Sequence, residues 1–163
     1  MPVVRRSDVS LVDLPGRRSG DPVPPGLGAE YAVRLVRVPP GPRTPHLHPH
    51  SDEVTYVVAG TGTAYEAPAD SGSSPTDDSS AARFTATRIG PGDTIFVPRG
   101  APHATVADPS TDDGDDGDDG DDGDDADDAD DADEDAGLEL LCFFPLPDLS
   151  TNLVELDTPT LHP

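Results

Sequence analysis

Four side chains in two short segments of this 163-residue chain have the types and spacing to hold one metal ion. His46, His48 and Glu53 fall between Gly41 and Gly60, and His103 falls between Gly92 and Ala107. Residues two apart on a strand face the same way, so His46 and His48 can approach an ion together. Glu53 returns after the turn-like run Pro49-His50-Ser51-Asp52. Three imidazoles and one carboxylate suit iron(II), manganese(II), nickel(II), copper(II) or zinc(II). At octahedral geometry two positions stay open for water, dioxygen or a chelating substrate. His50 reads as solvent-facing or as a support behind the ligands, because pairing it with His48 would leave only two residues before Glu53. His162, in a Pro-flanked tail, reads as having no specific role.

The elements that must position these groups read as strands. Val54 to Val58 is a β-branched and aromatic run that ends in the glycine turn at Gly60 and continues in a second strand through Tyr65. Gly90-Pro91-Gly92-Asp93 turns the chain into Thr94 to Val97. Pro98-Arg99-Gly100-Ala101-Pro102 then delivers His103 at the start of a strand reaching Val106. Tyr31 to Val38, Phe84 to Ile89 and Leu138 to Phe144 complete the set, and no segment carries a helical period. Short strands separated by Pro and Gly clusters predict an all-β sandwich or barrel.

The spacing of the two segments resembles the two motifs of the cupin superfamily. Gly41, four residues, His46-Leu47-His48, four residues, Glu53, six residues and Gly60 follow the first motif. Gly92, Pro98, Gly100 and His103 follow the second, with Ala107 where the family often has Asn. The departures are one residue fewer after Gly41 and the missing amide at Ala107, and neither removes a ligand. The resemblance implies a small single-domain cupin-like β-barrel, or jelly roll. It also implies one divalent first-row metal per chain, with iron, manganese or nickel favoured over zinc or copper. A homodimer is implied in the same way.

Length and charge bound the organisation. One domain is expected over residues 1–163, with an N-terminal arm (1–29), barrel strands (30–106 and 137–147) and a C-terminal tail (148–163). Two disordered polar or acidic loop insertions are expected, at 67–82 and at 112–135. Of the formal net charge of −23, 17 of the 33 acidic residues lie between Asp112 and Asp135, leaving 16 acids against 10 arginines, or −6. The Asp-Asp-Gly and Asp-Asp-Ala triplets match neither an EF-hand loop nor a calcium-binding nonapeptide, and read as solvated repeat expansion. Acidity argues against a nucleic-acid or anionic-membrane partner. The lone Cys142 excludes an internal disulfide and, with no leading signal-like segment and no membrane-length apolar run, the chain reads as cytoplasmic.

Strand parity turns the pocket inward at Thr55, Val57, Thr105 and Ala107, with Leu138, Leu140, Cys142 and Phe144 on one face of the last strand. Cys142 could look toward the ion, although a buried free cysteine usually serves as a small hydrophobe. Arg99, Arg34 and Arg37 are candidates for an acidic ligand, against a reading as solvated or ion-paired surface groups. Glu66, Tyr56 and Tyr65 are the candidate proton carriers, and no catalytic residue is assigned. Two functions follow. The leading one is a metalloenzyme for a small oxygen-bearing molecule, of dioxygenase or oxidase type first and isomerase, lyase or cyclase type next. The alternative is a non-catalytic metal-dependent module that binds or senses a small molecule.

Overall fold

The computed structural model describes residues 3–23, 30–68, 83–109 and 137–163. Among them the named elements are the 3-10 turn Arg6–Asp8 and eleven strands. The strands are β1 (Val12–Leu14), β2 (Arg17–Gly20), β3 (Ala32–Val38), β4 (His46–Leu47), β5 (Glu53–Ala59) and β6 (Gly62–Glu66). They continue as β7 (Thr85–Ile89), β8 (Thr94–Val97), β9 (His103–Ala107), β10 (Leu138–Phe144) and β11 (Val154–Glu155). One antiparallel sheet runs β1-β2-β3-β10-β5-β8 and the other β11-β4-β9-β6-β7. The seven longer strands predicted from periodicity are all present, with ends shifted by at most one residue.

Alternation along β10 shows how the two sheets close on each other. Leu138, Leu140, Cys142 and Phe144 are buried, while Leu141 and Phe143 on the other face are each 39% exposed. The buried set packs with Val36 and Val38 of β3, Val57 of β5, Ile89 of β7 and Ala107 of β9, so the core joins both sheets. Glu139 is the polar intruder in β10. It is covered by ion pairs from Arg6 and Arg37.

Backbone approach at one end of the core demands glycine. Gly60, at φ 80°, ends β5 where an added Cβ would fall 2.1 Å from the carbonyl oxygen of Gly137, the residue leading into β10. Only a residue without a side chain fits that contact.

The arm and tail also contribute strands. β1 and β2 extend the first sheet beyond β3, and β11 pairs with β4 at the edge of the second. Short strands of two to four residues, several with polar or charged side chains, carry too little periodicity to stand out in the sequence. The polar insertion lies outside the described residues from 69 to 82, although its first residue, Ala67, is buried and bonds through its N–H to the Pro102 carbonyl. The Asp-rich insertion at 112–135 lies wholly outside them. No helix among the described residues is long and apolar enough to cross a membrane.

Leu138 is 1% exposed and at the centre of the core. Leu138→Ala is therefore expected to lower the unfolding free energy by about 2–5 kcal/mol, read from urea denaturation. A loss under 1 kcal/mol would show that the two sheets do not close on this side chain.

Candidate metal centre

Three strands and one turn bring the four predicted ligands together. His46 is in β4, His48 just follows it, Glu53 opens β5 and His103 opens β9. The register places His46 directly across from His103. All four are buried, and each offers a ligand atom within 4.8 Å of the other three. The imidazole rings cluster with centroids 4.3 to 5.3 Å apart, and Phe144 closes one side edge-on to His48 at 4.8 Å.

The hydrogen bonds behind the rings set their tautomers. His48 donates from Nδ1 to the Asn152 carbonyl at 2.5 Å, and His103 donates from Nδ1 to the Ala101 carbonyl at 2.9 Å. In the neutral ring that leaves each Nε2 as a lone pair. Both lone pairs face the same carboxylate oxygen, Glu53 Oε2, at 2.8 Å from His48 and 3.1 Å from His103. His46 Nδ1 and His48 Nε2 are buried with no hydrogen-bond partner. Buried acceptors converging in this way repel one another unless a proton or a metal cation lies among them. The donor set fits a first-row dication, and imidazole rings braced by carbonyls on their far nitrogens are the usual support for such ligands.

Electrostatics point the same way. Burial pushes the Glu53 carboxyl upward, yet hydrogen bonds from His103 and His48, made when a proton rather than a metal ion sits on their Nε2 atoms, outweigh it and hold the group well below the usual carboxylate range. Burial, reinforced by the neighbouring His103, pushes His46 well below its ordinary value, so this ring is neutral and available as a ligand. Thr55 donates to Glu53 Oε1 at 2.6 Å and lies 3.1 Å from Cys142 Sγ. With the hydroxyl proton committed to Glu53, the thiol proton serves the second contact. Burial keeps that thiol well above its ordinary pKa, in agreement.

The group opens onto a cavity of about 910 Å³. Thr55, Thr105, Leu140, Cys142 and Phe144 line it as parity predicts, whereas Val57 and Ala107 belong to the closed core below. The missing amide at Ala107 is therefore not a vacancy in the cavity wall. His50 is exposed, and its backbone N–H rather than its ring is used, donating to Asn152 Oδ1. Arg99 is exposed and outside the cavity wall, while Arg34 and Arg37 are occupied by Asp21 and Glu139. Tyr56 points outward at 46% exposure, and the Tyr65 hydroxyl donates to the His162 carbonyl. Glu66 lines the cavity and is the cross-strand partner of His103.

Three residues contribute without having been marked by the sequence. Arg17 and Arg43 are buried and line the cavity, and Asn152 is fully buried beneath His48. Arg43 precedes His46 by three residues, and that proximity was the one available signal. Nothing in the local pattern of the tail marks Asn152.

Comparison with known proteins agrees with this geometry. The family model described as Cupin matches residues 26–113, more than half the chain, and the chain belongs to the cupin family. Oxalate decarboxylase from Lactobacillus farciminis, in a formate complex, superposes with a TM-score of 0.57 at 19% identity, covering 92% of this chain and 34% of that one. Oxalate decarboxylase from Bacillus subtilis gives 0.57 at 19%, covering 94% and 32%. The polyketide cyclase RemF from Streptomyces resistomycificus gives 0.54 at 21%, covering 99% and 84%. The chain thus spans about a third of the two decarboxylases and most of the cyclase. At these identities the likeness establishes the fold. Comparison with curated proteins finds no match.

A pH dependence follows for the protein stripped of metal. His46 is neutral when folded and binds a proton near its ordinary value of 6.5 when unfolded. The unfolded state then holds the extra proton below that value, so its stabilising contribution is complete above pH 6.5 and is lost as pH falls. Urea unfolding between pH 6.5 and 5 should show a decline approaching about 1.4 kcal/mol per pH unit from this group. Substituting His46→Leu should remove that slope. A slope unchanged in the variant would mean that His46 is not buried neutral.

Proposed function

We propose that this cupin is a metalloenzyme acting on a small, anionic, oxygen-bearing molecule. The observation that carries the reading is the pair of imidazole Nε2 atoms trained on Glu53 at the head of a large cavity. His46, His48, Glu53 and His103 would hold one first-row dication, with iron, manganese or nickel favoured. Such an ion supplies Lewis acidity and, if redox-active, oxygen activation.

The rest of the site shapes what would enter. Of the arginines lining the cavity, Arg17 pairs with Glu155, Arg34 with Asp21 and Arg88 with Asp108. Arg43 has no carboxylate partner among the described residues. It holds the Thr105 carbonyl through Nη1 at 2.8 Å, and its Nε and Nη2 have no acceptor. Burial and then Arg17 lower it only to about 10, so it stays charged at neutral pH. Its field therefore favours an anion in the cavity. Glu66, exposed at the cavity wall and in register with His103, would exchange a proton with a bound molecule.

Oxygen-dependent chemistry remains the first reaction class to test, with lyase and cyclase chemistry beside it. The latter are the classes named for the structural neighbours, a decarboxylase and a cyclase. The expected homodimer would use the outer face of the first sheet, where Tyr31 stacks on Phe143 at 5.4 Å beside exposed Leu141, Tyr56 and Phe96.

The test is turnover of small carboxylic acids and phenols by iron- or manganese-loaded protein, with and without oxygen, in the wild type and in Glu66→Gln. Turnover is expected, and the variant should lose about 100-fold or more in kcat at unchanged metal content. Tight binding of the same acids with no turnover under any condition would favour the binding module instead.

A further inference from the structure

Asn152 is fully buried and spends every polar group on an ordered partner. Its carbonyl accepts from His48 Nδ1 at 2.5 Å, and its Oδ1 accepts from the His50 backbone N–H at 2.8 Å. Its Nδ2 donates to Ser51 Oγ at 2.8 Å, and its own N–H donates to the Leu149 carbonyl at 3.0 Å. Because the His50 N–H can only donate, the orientation of the amide is fixed. His50 and Ser51 lie in the link between His48 and Glu53, so one side chain from the far end of the sequence grips the connection between two ligands. The following residues extend the hold. Leu156 N–H donates to the Pro45 carbonyl at 2.9 Å, and Glu155 of β11 pairs in register with His46 of β4.

We propose that Asn152 is a positioning residue for the metal centre. It pins the turn that follows His48 and presents its carbonyl so that the imidazole carries its proton on Nδ1 and turns Nε2 toward Glu53. The affinity of the site for its ion then depends on residues 149–156, more than 90 residues beyond the last of the first three ligands. This role rests on the reading of His46, His48, Glu53 and His103 as ligands. A neutral, fully buried asparagine used only to fill space would be replaceable by leucine of similar volume. One that aims a ligand would not be.

Two measurements on the purified full chain test this. Imidazole nitrogen NMR of the metal-free protein reports the His48 tautomer without any metal. Cobalt(II) titration followed by its visible absorption reports affinity and ligand geometry. In Asn152→Leu, the His48 Nδ1–H signal should lose its single-tautomer character, and cobalt affinity should fall about 10- to 100-fold with an altered spectrum. Asn152→Asp, which keeps the acceptor for the His50 N–H, should fall between the wild type and the leucine variant. A folded Asn152→Leu with wild-type tautomer, affinity and spectrum would overturn the proposal. So would a lowered melting temperature as its sole effect. Should the leucine variant fail to fold, the aspartate variant decides on the same readouts. Wild-type protein that takes up no cobalt would refute the ligand reading, while the tautomer shift would still report whether Asn152 sets His48.

Discussion

The structure is organised around an electrostatic demand. His48 and His103 both bring Nε2 to one oxygen of Glu53, among side chains that are all buried. Buried acceptors arranged head to head are unfavourable, and a buried carboxylate left uncompensated costs several kcal/mol in the folded state. A cation among them reverses the sign of every one of these contacts. Around this point the chain is built for rigidity: the two carbonyls that fix the tautomers, the Thr55 hydroxyl on the other carboxylate oxygen and the Phe144 ring edge each remove a freedom from one ligand.

The two-sheet barrel is what allows ligands so far apart in sequence to meet. β4 and β9 pair in the second sheet and set His46 across from His103, while β5, in the first sheet, brings Glu53 from the opposite wall. The centre therefore bridges the sheets, with the apolar core of Val57, Ala107 and Leu138 sealing one end and the cavity opening on the other side of the ligands. The β1-β2 hairpin and the β11 segment cover the edges, and they carry Arg17 on one side and Asn152 near the other. Part of the cavity wall and the bracing of His48 thus come from the two ends of the chain, while the charge preference comes from Arg43 beside the first motif.

This division explains what the sequence could reveal. His46, His48, Glu53 and His103 are legible because metal ligation needs particular residue types at spacings set by strands and glycine turns, and those constraints are local. β10 is legible because Leu138, Leu140, Cys142 and Phe144 alternate cleanly with outward residues. Arg43 and Asn152 draw their importance from partners across the fold: the cavity-lining arginine with no carboxylate partner among the described residues, and the amide beneath His48. No local pattern distinguishes them from ordinary polar residues. Ala107 shows the reverse case, since its parity is as expected but the wall it faces is closed by the core.

The most direct test of the account is elemental analysis of the purified protein beside Glu53→Gln and His48→Ala, after loosely held ions have been stripped from the acidic segment. About one iron, manganese or nickel per chain, lost in both variants, is the predicted result. Substoichiometric metal that is indifferent to both substitutions would contradict it, and would mean that protons, rather than a metal ion, occupy the space between the imidazoles and Glu53.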